Sequence, residues 1–328
     1  MTLMKVPALL TAFLLSLTSF ASAQGYDWSA DSLTGVKINT VAFKGWVPAR
    51  AEPLRGTLVL IPGRHQDGRG MAAEAQWQNL ASDIGFAIVA CQFSDGDPAA
   101  YQDDAEGEVA RSINKAVEHL ATESKHPELA KAPLALWGVS AGSNVSERYC
   151  SQFPKRVAAF ASSTGTRGPG ALAQGKAEIP MFFAVGAKDN PEWVAASLRC
   201  IDAGIKIHAP WTLAFNKNAG HGTGNSLGAV IPFLKAAVSM RFNPPAAASG
   251  AAGAPASVFK SQLPTFSQPA STAAAPIQLH KIDTHTGWLG DADTYEVGSF
   301  TNFKGNKAKA IWLPDEATAT AWREYLLH

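Results

Sequence analysis

The sequence predicts an α/β fold, a mostly parallel sheet covered by helices on both faces, with a small C-terminal tail after a Pro/Ala-rich linker. Three observations carry this. From about residue 36 to 242, short apolar runs alternate with helical patterns, and parallel neighbours need the crossover connections that helices supply. Two runs, Thr57-Leu58-Val59-Leu60-Ile61 and Met181-Phe182-Phe183-Ala184-Val185, are apolar nearly throughout, as strands buried on both faces are. The third is an apolar run ending in Gly138-Val139-Ser140-Ala141-Gly142, with a helix-like stretch behind it.

In chain order, strands are expected at 36–43, 57–61, 86–91, 134–139, 157–162, 180–185 and 211–215. Helices are expected at 71–84, 106–122, 142–153, 191–203 and 226–240. The catalytic-size unit is thus 24–242. Residues 243–276 change to Ala, Pro, Ser and Gly and read as a linker. The tail, 277–328, carries Trp288, Tyr295, Trp312 and Trp322. Its helix at 314–327 has Asp315 and Glu316 in the first turn, suited to the helix dipole. At this size the tail is expected to pack on the core rather than fold alone.

The chain has 328 residues, 46% of them hydrophobic, and a formal net charge of +1. That balance gives no field for a nucleic-acid partner or an anionic membrane. Lys5, an apolar stretch from Val6 to Phe20 and the small residues Ala21-Ser22-Ala23 form a signal peptide, 1–23. No other run reaches the ~18 apolar residues of a membrane span, so a secreted or periplasmic location is expected. Three cysteines cannot all pair within one chain. Cys91 reads as a buried thiol, and Cys150 and Cys200, both on helices, are candidates for a bridge.

Gly-x-Ser-x-Gly between a strand and a helix describes a sharp turn that presents its serine at the sheet's edge. A serine hydroxyl becomes a nucleophile when a base takes its proton, and the base needs a carboxylate to orient it. Among the acids after Ser140, Asp189 lies just past a strand end, in Gly186-Ala187-Lys188-Asp189-Asn190-Pro191. Its plain alternative is a helix N-cap. His221, in Gly220-His221-Gly222, follows the last strand, whereas His208 precedes it and faces away. Charge developing on a carbonyl oxygen needs backbone donors, for which the N–H groups of Ala141 and Arg64 are the candidates. His65 and Asp67, in the same loop as Arg64, are candidate substrate contacts. No cofactor or metal is implied; His280, Asp283 and His285 are a weaker metal-ligand alternative.

These residues resemble the α/β-hydrolase superfamily, and within it exported esterases such as polyhydroxybutyrate-depolymerase-like, feruloyl and acetyl-xylan esterases. The likeness rests on the Leu-Val-Leu-Ile-Pro-Gly strand and loop ending at Gly63, and on Trp77-Gln78-Asn79-Leu80-Ala81 before Gly85-Phe86. Gly138 to Gly142, Asp189 and Gly220-His221-Gly222 complete it, over roughly residues 55 to 240. It departs from the family at Pro62-Gly63, where His-Gly is usual, and at Gly142-Ser143. The resemblance implies a serine hydrolase acting through an acyl-enzyme on a small or polymeric ester. The alternatives are a peptidase on the same scaffold and an exported carbohydrate-binding protein on a degenerate hydrolase fold. Only a short connection, 164–178, stands where many hydrolases insert a helical lid.

Overall fold

The computed structural model describes residues 23–29, 38–49, 53–95, 107–165, 176–242 and 277–328. The expected signal peptide, apart from Ala23, and the whole of the expected linker lie outside these residues.

Eight strands form one sheet: β1 (Gln24–Ser29), β2 (Ile38–Val47), β3 (Gly56–Ile61), β4 (Phe86–Asp95), β5 (Leu134–Val139), β6 (Val157–Ser163), β7 (Met181–Gly186) and β8 (Trp211–Asn216). Their order is β1-β2-β4-β3-β5-β6-β7-β8. From β4 to β8 every pairing is parallel, and β2 alone runs against the rest. Successive side chains on a strand face opposite sides, so the apolar runs divide between two cores. Val59, Ile61, Leu134, Leu136, Met181 and Phe183 enter one, with α2 (Glu108–Glu123), α3 (Ala141–Gln152) and α4 (Pro191–Lys206) over them. Leu58, Leu60, Ala135, Trp137, Phe182 and Ala184 enter the other, under α1 (Ala75–Ile84) and α5 (Leu227–Phe242). This is the doubly covered sheet that the apolar runs predict.

Several elements differ from the sequence expectation, β1 and β4 in this sheet and three short strands of the tail among them. β1 was not foreseen: Gln-Gly-Tyr-Asp-Trp-Ser is polar, exposed or half-buried along its length, and shows no apolar run. It is held at the edge by pairing with β2 and by Trp28 stacked on Phe43, centroids 5.8 Å apart. β4 continues beyond 91 to Asp95 because its second half pairs with β2, where Gln92 and Ser94 alternate with Phe93.

The tail forms a small antiparallel sheet of β9 (Trp288–Gly290), β10 (Val297–Ser299) and β11 (Ile311–Leu313), then α6 (Glu316–Leu327). Asp315 caps α6, its carboxylate accepting the Thr318 N–H at 2.8 Å. Side-chain hydrogen bonds join tail to core along β8: Thr212 Oγ1 donates to Trp312 O (2.7 Å), Trp322 Nε1 to Leu213 O (2.7 Å), and Asn216 Nδ2 to Tyr325 O (2.6 Å). Trp312, Trp322 and Tyr325 share the second core with α5. That explains why α5 is apolar on most sides: the sheet covers one flank and α6 another.

Cys91, Cys150 and Cys200 are all buried and unbridged, so the bridge between Cys150 and Cys200 does not form. Burial pushes all three thiols up, Cys200 to about 12, because a thiolate is disfavoured away from water. Among the described residues no helix is long and apolar enough to cross a membrane.

Two outcomes follow. Trp322→Ala removes a fully buried indole and its hydrogen bond, and should lower stability by about 3–5 kcal/mol, read as a fall in denaturation midpoint. Iodoacetamide at neutral pH should modify none of the three thiols in the native protein and all of them once it is unfolded.

Candidate active site

The carboxyl ends of the parallel strands lie on one edge, where ligands of open α/β sheets bind. β5 ends at Val139, and the next residue, Ser140, turns the chain into α3 with φ +54° and ψ −119°. A residue with a Cβ rarely enters that region. The approach of α3 to the sheet explains the flanking glycines. A Cβ on Gly142 would lie 2.2 Å from Ile61 O, and one on Gly138 2.4 Å from Gly142 O. The Ser140 N–H donates to Thr164 O at 3.2 Å, which fixes the turn against the end of β6.

Three loops at this edge meet. Ser140 Oγ is 2.8 Å from His221 Nε2, and His221 Nδ1 is 2.8 Å from Asp189 Oδ2. The imidazole is 37% exposed and the carboxylate only 6%, so the acid is sheltered while the ring is open to solvent. The sequence left open whether Asp189 caps the following helix. It does not: Asn190 is the cap of α4, its side chain accepting the Glu192 and Trp193 N–H groups. Asp189 is thereby left to His221 and to the Asn190 N–H, 2.6 Å from its other oxygen.

Ala141 is the first residue of α3, where N–H groups have no intrahelical acceptor and the helix dipole is positive. Opposite it, Gly63 to Gln66 form a turn closed by the Gln66 N–H on Gly63 O (3.2 Å), with His65 at φ +59°. Gly63 adjoins Ser140, since a Cβ there would lie 3.6 Å from Ser140 Cβ. Gln66 Oε1 accepts the Gly63 N–H at 3.0 Å, so that amide is engaged and Arg64 is the next one along. The side chains of Arg64 and His65 are exposed at the rim. Asp67, the other candidate contact in this loop, is exposed and pairs with Arg69, which donates from Nε and Nη2. Those bonds hold its carboxyl below the usual carboxylate range.

Residues that the sequence reading did not single out hold the loops together. Thr164, buried and at φ +67°, accepts the Gly222 N–H on Oγ1 (3.3 Å) while its carbonyl takes the Ser140 N–H. It joins the serine turn to the histidine loop. Asn216 Oδ1 accepts the Asn218 and Ala219 N–H groups at 2.7 and 3.0 Å, anchoring the same loop from β8. Trp193, on the first turn of α4, sets its ring 5.2 Å from that of His221. The signal for Thr164 lay in its place two residues beyond an expected strand end; nothing marked Trp193.

The other sequence candidates lie elsewhere. His208 precedes β8 at the opposite edge, 6.3 Å ring to ring from His285. Asp283 accepts from the backbone and ring of His285, and among the described residues no three potential ligands gather to hold a metal. Trp312 donates to Thr286 O and is buried, so it belongs to the tail's packing.

No protein-family model matches the sequence, and no curated protein matches it. Solved structures similar to it include a predicted CIB-like hydrolase from Thermoplasma acidophilum, at 15% identity and TM-score 0.46, covering 65% of this chain and 99% of that one. A cold-adapted esterase from an Arctic intertidal metagenomic library shows 17% identity and TM-score 0.44, covering 66% and 95%. A ferulic acid esterase shows 12% and 0.47, covering 67% and 99%. Values this low carry no argument about activity; the strand order, with β2 alone reversed and the serine turn after β5, decides the architecture. The chain has the α/β-hydrolase fold.

Thr164→Val keeps the shape of the side chain and removes the acceptor for the Gly222 N–H. An unpaired amide costs about 1–3 kcal/mol. Labelling of Ser140 by a fluorophosphonate probe should therefore slow by about tenfold or more, measured against unaltered protein, with Ser140→Ala unlabelled.

Proposed function

We propose that the chain is a serine hydrolase that cleaves carboxylic esters through an acyl-enzyme. The observation that carries this reading is the pair of 2.8 Å contacts running Ser140–His221–Asp189. His221 Nε2 takes the proton of Ser140 Oγ as that oxygen bonds to the ester carbon. Asp189 orients the imidazole and stabilises its charged form. The Ala141 and Arg64 N–H groups receive the oxygen that becomes negative. As the intermediate collapses, the bond to the alcohol oxygen breaks and His221 returns its proton to that oxygen. A water, deprotonated by His221, then adds to the acyl carbon and frees Ser140 and the acid. These steps need proton transfer and charge stabilisation alone.

The non-catalytic alternative is disfavoured because the serine, the base and the acid are all present and in hydrogen-bond reach. Work outside the cytoplasm is proposed on the N-terminal Lys5 to Ala23 pattern, with a small or polymeric ester as substrate.

Hydrolysis of para-nitrophenyl acetate and butyrate should fall by a factor of about 10³ or more in Ser140→Ala. Activity that survived the substitution would assign the nucleophile elsewhere, and turnover of peptide amides at comparable rates would favour the peptidase reading.

A further inference from the structure

The steps above leave Trp193 unused. Its side chain is 49% exposed, whereas Trp77, Trp211 and Trp322 are fully buried. The Asn190 cap fixes the first turn of α4 and so sends Trp193 toward the loop that carries His221. Its ring lies 5.2 Å from the imidazole, inclined by 57°.

Ester cleavage puts the two halves of a substrate in different places. The acyl carbon is bonded to Ser140 Oγ, with its oxygen toward the Ala141 and Arg64 amides. The alcohol oxygen has to receive its proton from His221 Nε2. An apolar surface that lies against the imidazole and opens to solvent therefore meets the alcohol side. We propose that Trp193 is the alcohol-side wall of the site and selects esters whose alcohol carries a ring with a flat apolar face, aromatic or pyranose. This rests on the ester-hydrolase reading. Ring contacts of this kind are worth about 0.5–1.5 kcal/mol, or about two- to tenfold in rate.

The test compares kcat/KM for ethyl acetate, benzyl acetate and 6-O-acetylglucose in the unaltered protein, Trp193→Ala and Trp193→Phe. All three esters form the same acetyl-enzyme, so a preference for the alcohol is read in kcat/KM. In Trp193→Ala the benzyl-to-ethyl ratio should fall by about five- to tenfold, and in Trp193→Phe by no more than about twofold. A parallel fall for acetylglucose extends the selection to pyranose rings, and a fall for the benzyl ester alone restricts it to aromatic ones. Equal losses on all three esters would show that Trp193 only shields the His221–Asp189 pair, overturning the assignment. So would a loss that grows with acyl length from methyl acetate to methyl octanoate. If the unaltered protein hydrolyses none of these esters, the ester-hydrolase reading itself fails, an outcome distinct from an active protein indifferent to residue 193.

Discussion

At Ser140 the backbone takes φ +54° and ψ −119°, a conformation that costs a residue with a Cβ about 1–3 kcal/mol. It persists because its surroundings leave no other path. β5 pairs in parallel with β3 and β6 on either side, and α3 must start within van der Waals reach of Ile61 O, a gap that only Gly142 fills. Relaxing the turn would lift α3 from the sheet and expose Val145, Tyr149 and Cys150, which are buried beneath it. The serine is thus held proud of the sheet by the packing of the helix behind it.

The other two side chains reach Ser140 by a different logic. Parallel strands bring their carboxyl ends to one edge, so loops far apart in sequence are neighbours by construction. What remains is to set each loop's height. Asn190 does this for Asp189 by taking over the helix cap. Thr164 and Asn216 do it for His221, one from the end of β6, two strands away, and one from β8, which precedes the loop. A site of exposed loops is made rigid by buried polar side chains, which pair because leaving them unpaired would cost more.

How much of this the sequence disclosed depends on length and burial. β3, β5 and β7 are buried on both faces and announce themselves as unbroken apolar runs. The places of Ser140, Asp189 and His221 after strand ends could be read from chain order. The three-residue strands β9 to β11 are too short for any period to emerge. β1 is an edge strand with water on much of its surface, so its polar sequence carries no strand signal. Thr164 and Asn216 act through hydrogen bonds that cross from one loop to another, and such contacts have no footprint in a linear pattern.

Asn216 has a reach beyond its own loop. One end of its amide takes the two N–H groups that shape the histidine loop, and the other donates to Tyr325, 109 residues downstream in the last helix. The loop that carries the imidazole is therefore tied, through a single amide, to a helix of the tail, so that any loosening of that helix from β8 is felt at His221.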